Sequence, residues 1–291
     1  MIKIHYVPGY SMTREYRLIQ QGLINNPRVE LVKNEKDSDF IFLFYYRSKH
    51  KGYYKKDYDP RKTVYIDYHD NPEWMSPVKC KAYFKRSWVM PAVEGYEIVK
   101  KPIKRPDNFY PITFAIMDEF IISKKMDRDI LLSCPLRVKN RHNNRIRVLE
   151  LIDSMKIKGK TQIGEFNQGT MRAFNELDMR EYFKLLKRSR IVVTCNPDPW
   201  EGDHRTWEAF ANGAMVFVDR MFAPMVHPLI DGEHCIFYDL SAKGLKILEG
   251  QIEYALVNTS FTERIAKAGH EFTMKYHRTS NRIDEILEKI T

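Results

Sequence analysis

Residues 189–219 read SRIVVTCNPDPWEGDHRTWEAFANGAMVFVD, and this stretch decides how the chain is organised. Arg190 to Cys195 is a β-branched apolar run of buried-strand type. Asn196-Pro-Asp-Pro199 breaks it. Trp200 to Arg205 is a charged loop that leads into a helix over Thr206–Asn212, and Gly213 ends that helix in the manner of C-terminal glycines. Ala214–Val218 is the next strand. Strand, loop, helix, strand is one step of a parallel α/β sheet.

In such a sheet, ligands sit outside the carboxyl ends of the strands, where the loop 197–205 lies. The helix that follows presents free N–H groups and a positive dipole end, which favour phosphate. His204 and Arg205 add donors there. Glu208 stands one turn further on, where a carboxylate can accept two sugar hydroxyls. Anion donors beside a hydroxyl acceptor suit a nucleotide-sugar. An ordinary helix with a solvated charged start is the plainer reading; the clustering of Glu201, Asp203, His204, Arg205 and Glu208 between two buried strands argues against it.

The run Arg205-Thr-Trp-Glu-Ala-Phe-Ala-Asn-Gly-Ala-Met-Val-Phe-Val-Asp219 resembles the donor-binding motif of GT-B glycosyltransferases, in their group 1 and exostosin-like branches. The resemblance runs in motif order over roughly residues 127–285 and extends to compact transferases encoded by large DNA viruses of algae. It implies an α/β fold of two Rossmann-like domains facing each other across a cleft. It implies Glu208 on the donor ribose, and Arg205 facing the diphosphate with His204, Thr206 and Asp203 around it. Asp219 would touch the donor sugar. Many members carry two glutamates eight apart, whereas Glu201 and Glu208 are seven apart, which weakens a retaining mechanism. In the loop after the first strand of the second domain, the resemblance places a cation on the leaving diphosphate. Arg137 is the first choice there, then Lys139, then Arg141.

The 291 residues, 43% of them hydrophobic, suffice for one large or two ordinary domains. No apolar run reaches membrane-spanning length, and MIKIHYVPGY reads as a strand rather than a signal peptide. Four cysteines without paired spacing read as free thiols, which suits a cytoplasmic protein. The net charge of +10 is uneven: residues 1–112 hold 21 Lys and Arg against 13 Asp and Glu, and 13 of the 17 tyrosines. A basic, tyrosine-rich half predicts an extended polar or anionic partner. A glycan or glycoprotein acceptor fits this, and nucleic acid is not expected as the partner, although Tyr rings stack on sugars and bases alike.

In the first part, strands are predicted over 2–7, 29–33, 39–46, 63–68 and 79–86, with a helix from Thr13 to Asn25. The apolar 39–46 strand should be central and parallel. Residues 1–112 are assigned to an acceptor-binding domain, 113–128 to a linker in a proline-rich region, and 129–275 to the nucleotide-sugar domain. Residues 276–291 form a helix that, by the resemblance, crosses back to the first domain. The second domain is predicted to have strands 129–133 and 160–164, helices 144–155 and 179–187, then the central stretch, a strand 235–238 and C-terminal helices.

Asp67, His69 and Asp70 follow the fourth strand, opposite the donor. An inverting transfer needs one base for the acceptor hydroxyl, and Asp70 or His69 is the candidate, with Asp67, Tyr10 and Ser11 lining the acceptor side. A polar turn after a strand is the competing explanation. Two Asp-x-Asp triplets, Asp57/Asp59 and Asp127/Asp129, are short enough to arise by chance. The nine histidines show no ligand spacing, so neither metal nor other cofactor is expected beyond the nucleotide-sugar co-substrate. A retaining transferase, a basic nucleic-acid-binding α/β protein and an α/β enzyme without transfer activity are the alternatives.

Overall fold

The structure, a computed structural model, describes residues 1–7, 14–45, 58–69, 79–86, 88, 106–122, 127–136, 143–157, 161–163, 176–196 and 202–291. Two parallel sheets carry it. The first contains β1 (Ile2–Val7), β2 (Val29–Leu31), β3 (Phe40–Tyr45), β4 (Thr63–Asp67), β5 (Ala82–Lys85) and β6 (Phe109–Pro111), in the order β2-β1-β3-β4-β5-β6. The second contains β7 (Ile130–Cys134), β8 (Thr161–Ile163), β9 (Ser189–Val193), β10 (Met215–Asp219) and β11 (Ile236–Tyr238), in the order β11-β10-β9-β7-β8. Every pair in both sheets is parallel.

The strands are continuous apolar runs because both faces are covered. Phe42, Leu43, Phe44, Val64, Ile66, Val192, Val193 and Met215 through Val218 are all fully buried. β3 lies between β1 and β4, so the apolar 39–46 run is central. β6 is the strand that pattern reading left out. It forms inside the proline-rich region and ends on Pro111, which an edge strand tolerates because an edge N–H has no ladder partner to lose.

Around the sheets lie α1 (Arg14–Asn25), α2 (Asn143–Ser154), α3 (Glu176–Arg188), α4 (His204–Ala211), α5 (Ala242–Val257), α6 (Thr259–Tyr276) and α7 (Thr279–Ile290). The last helix does not stay with the second sheet. It packs on α1, burying Ile283, Ile286, Leu287 and Ile290. A Cβ on Gly22 of α1 would lie 2.5 Å from the Thr279 carbonyl oxygen, so glycine permits this close approach. Asn26 Nδ2 donates to Asp284 Oδ1 at 3.0 Å and to the Ser280 carbonyl at 3.2 Å.

The chain therefore passes between the halves twice, and the two passages touch. Ile116 N–H donates to the His277 carbonyl at 2.7 Å. Buried Arg282 ties them further, donating to Thr113 Oγ1 at 2.8 Å, the Tyr276 carbonyl at 2.7 Å and Glu285 at 2.9 Å. Burial, with the Arg282 charge beside it, depresses the His277 imidazole to about 2, so His277 is neutral in the native chain. Among the described residues, no helix is long and apolar enough to cross a membrane. The four cysteines are free.

Candidate active site

The second sheet reverses its strand order between β7 and β9, which opens a crevice at their carboxyl ends. The chain leaves β9 through Thr194, Cys195 and Asn196 into the loop ahead of α4. Asn196 is the anchor of this exit. Its N–H and its Nδ2 both donate to Asp219 Oδ1, at 2.7 and 3.0 Å, and its Oδ1 accepts the Asp203 N–H at 2.9 Å. Asp203 is the N-cap of α4 and accepts the Thr206 N–H. Its other oxygen takes Arg145 Nη2 at 2.6 Å and Arg205 Nη1 at 3.1 Å. Burial would raise the Asp203 carboxyl, but Arg145 and Arg205 outweigh it and hold the group below its usual range. Arg145, on α2, also donates through Nε to the Cys195 carbonyl at 2.8 Å.

The six candidate donor residues of the described region are thus brought together, in two groups. Asp203, Thr206 and Asp219 are scaffold. The Thr206 hydroxyl is fully buried against Thr194 Oγ1 at 3.0 Å, and Asp219 is fully buried under Asn196. Burial lifts the Asp219 carboxyl to about 7, and its Oδ2 has no partner among the described residues. Asp219, expected on the donor sugar, braces the loop through Oδ1, which accepts from the Asn196 backbone and side chain. Glu208, Arg205 and His204 form the second group, on the side of α4 that meets the first half of the chain. Glu208 Oε1 accepts from Arg14 Nη2 and Oε2 accepts the Tyr182 hydroxyl. His204 Nε2 lies 3.1 Å from Glu15 Oε1, and its ring packs on Phe114 with centroids 3.9 Å apart. Burial and the neighbouring Arg14 charge lower the His204 pKa, so it serves as a neutral hydrogen-bonding ring rather than a standing cation.

At the end of β4, Asp67 is fully buried. It accepts the Tyr83 hydroxyl at 2.6 Å and the His69 N–H at 2.8 Å, and Lys85 Nζ stands 3.5 Å away. Asp67, expected on the acceptor side, is buried with its carboxylate holding the turn that carries His69. Asp70, Tyr10, Ser11, Arg137, Lys139, Arg141 and Glu201 lie outside the described residues. Of the Asp-x-Asp triplets, Asp59 binds Arg61 and Asp129 binds Arg188, while Asp57 is outside the described residues. No group of three or more His, Cys, Asp or Glu able to hold a metal occurs among the described residues.

Four participants escaped the sequence reading: Arg14, Tyr182, Arg145 and Asn196. Asn196 had a signal, since it follows a buried strand directly. Arg145 and Tyr182 look like ordinary members of amphipathic helices, and Arg14 is 194 residues from its partner.

The Glycosyl transferase-like family matches residues 145–288, just under half of the chain. No curated protein matches by sequence. Among solved structures, Anabaena Alr3699/HepE in complex with UDP and glucose is 12% identical at a TM-score of 0.57, over 100% of this chain and 99% of that one. An alpha-glucosyltransferase in complex with UDP-glucose and DNA containing an abasic site is 11% identical at 0.55, over 99% and 98%. The chain spans 54% of TarM, at 9% identity and a TM-score of 0.51. With a match to the Glycosyl transferase-like family in its second half and two parallel-sheet units throughout, the chain has the fold of GT-B glycosyltransferases.

Proposed function

We propose that this chain moves a sugar from a UDP-sugar to a glycan acceptor, without a metal and with inversion at the anomeric carbon. The observation that carries the reading is Glu208: a buried carboxylate one turn into α4, in the switch-point crevice, with Arg205 and His204 on the preceding turn. Its placement suits two ribose hydroxyls, and the Arg205 guanidinium beside it suits the diphosphate. Complexes of structural neighbours with UDP and UDP-glucose support the choice of nucleotide. The donor unit is residues 129–275 and the acceptor unit is 1–112, joined by 113–128 and by the returning helix.

In the transfer, the acceptor oxygen forms a bond to the anomeric carbon as the bond from that carbon to the diphosphate oxygen breaks. Asp70 or His69 takes the acceptor proton. Negative charge grows on the departing UDP, and Arg205, the N-terminal N–H groups of α4 and the cations of 137–139 lower the barrier by meeting it. Glu201 stands seven positions before Glu208 rather than eight, which is why inversion is preferred to retention. The basic, tyrosine-rich 1–112 unit supports an extended acceptor, and a cytoplasmic location agrees with free thiols. The same charge supports a second reading, in which the acceptor is nucleic acid; binding that falls steeply with salt would favour it.

The test is calorimetry and thermal shift with UDP, GDP, dTDP, CMP and their sugars, with and without divalent metal. At about 100 times its dissociation constant, the true nucleotide should stabilise the fold by about 2.7 kcal/mol. The shift should be independent of metal and lost in Glu208→Ala. Retention of full affinity by Glu208→Ala would sink the assignment.

A further inference from the structure

α1 begins with two residues whose side chains end in the other half of the molecule. Arg14 donates to Glu208, and Glu15 meets His204. The Arg14 guanidinium also lies 4.4 Å over the ring of Phe120, which holds its plane. On the far side, Tyr182 of α3 donates its hydroxyl to the second oxygen of Glu208. The Glu208 side chain is 4% exposed, and a carboxylate that deep is costly unless a cation and hydrogen bonds accompany it. Each carboxylate oxygen has two acceptor positions. Arg14 and Tyr182 fill one on each oxygen, leaving one on each oxygen for a pair of hydroxyls.

We propose that Arg14 is a positioning residue for the donor, supplied by the first half of the chain: it fixes the Glu208 carboxylate so that the two remaining acceptor positions meet the ribose hydroxyls. This rests on the reading of Glu208 as the ribose ligand. Tyr182 is the second positioning group, from within the donor half. Because Arg14 and Glu208 stand on different halves, donor affinity is tied to the halves being together. A sugar-nucleotide then finds its full site only when the acceptor unit is in place, which limits hydrolysis by water.

The experiment measures binding of UDP, uridine and 2′,3′-dideoxy-UDP to the whole chain and to Arg14→Met, Arg14→Lys and Tyr182→Phe, with melting temperatures alongside. Arg14→Met should weaken UDP and uridine by the same factor, about tenfold or more, the size expected for loss of a charge-assisted hydrogen bond. Arg14→Lys should recover most of that loss. Dideoxy-UDP, which has no ribose hydroxyls, should bind wild type and Arg14→Met alike. If Arg14→Met does not fold, Arg14→Gln takes its place with the same expectation. Unchanged or tighter UDP binding in the folded variant overturns the proposal. So does an equal loss for dideoxy-UDP, or a loss for UDP that uridine does not share, which would put Arg14 on the phosphates. Wild type that binds no nucleotide, or Glu208→Ala that binds normally, would instead overturn the underlying reading of Glu208.

Discussion

Asp67 ends β4 in the first half of the chain, and Glu208 stands on α4 beyond the end of β9 in the second; both carboxylates are buried at the carboxyl edge of a parallel sheet. Among the described residues, Asp67 draws its partners from its own half: Tyr83, Lys85 and the His69 backbone. Glu208 draws Tyr182 from its own half and Arg14 from the other. Among the described residues, the Asp67 cluster stays within one half and holds a turn in place. The Glu208 cluster has acceptor positions left and depends on how the halves meet, so it can respond to a ligand. Burial of a charge does not separate the two clusters; the origin of its partners does.

The largest expected effect breaks the Asp67 cluster. Lys85→Met leaves Asp67 buried without its cation and should cost about 3–5 kcal/mol in urea unfolding. Nucleotide affinity of the folded fraction should stay at the wild-type value, and a specific loss of affinity would show that the Asp67 cluster belongs to the site.

Asp219 offers a comparable effect that depends on pH. Its folded-state pKa, about 7, lies above the ordinary 3.8, so the native chain holds this proton more tightly than the unfolded chain does. The contribution of Asp219 to stability is therefore greatest below about pH 4, declines between about pH 4 and 7, and is level above that, a change of roughly 4 kcal/mol. Asp219→Asn keeps an oxygen for Asn196 and cannot ionise. Its stability curve should lack this decline, and identical pH slopes in the two proteins would remove the argument.

Glu208→Gln sharpens the comparison from the other side. It should leave stability within about 1 kcal/mol of wild type while reducing UDP affinity about a hundredfold, which corresponds to about 2.7 kcal/mol. A large stability loss with intact affinity would make Glu208 a second Asp67. The smallest effect concerns the helix that carries Glu208. Gly213 has φ of +68°, and a Cβ there would stand 3.1 Å from Arg128 Nη2. Gly213→Ala should cost about 1 kcal/mol by chemical denaturation, with unaltered nucleotide binding.

Much of this architecture was legible in the chain. The apolar runs of β3, β9 and β10 announce strands buried on both faces, and their alternation with helical segments announces parallel sheets. Gly213 is the kind of residue that ends a helix, while Asp203, assigned to the donor by the sequence, emerged as the cap of α4 only in the fold. The edge strand β6 was hidden because Pro106 and Pro111 read as punctuation, and only its position at the rim of the sheet makes them tolerable. Among the donor candidates, local pattern put Glu208, Arg205 and His204 together after β9 but could not say that Asp219 and Asp67 are fully buried.

Strand order and partner choice are decided by long-range packing. Hydrophobic period and turn chemistry act over a few residues, so they determined the elements and the loop that bears Glu208. The pairing of Arg14 with Glu208, the return of α7 onto α1, and the tie of Arg145 to Asp203 across 58 residues came only with the tertiary structure. A charged side chain at the start of a helix looks the same in sequence whether it meets water or a buried carboxylate. Desolvation chooses between them, and desolvation is a property of the folded whole.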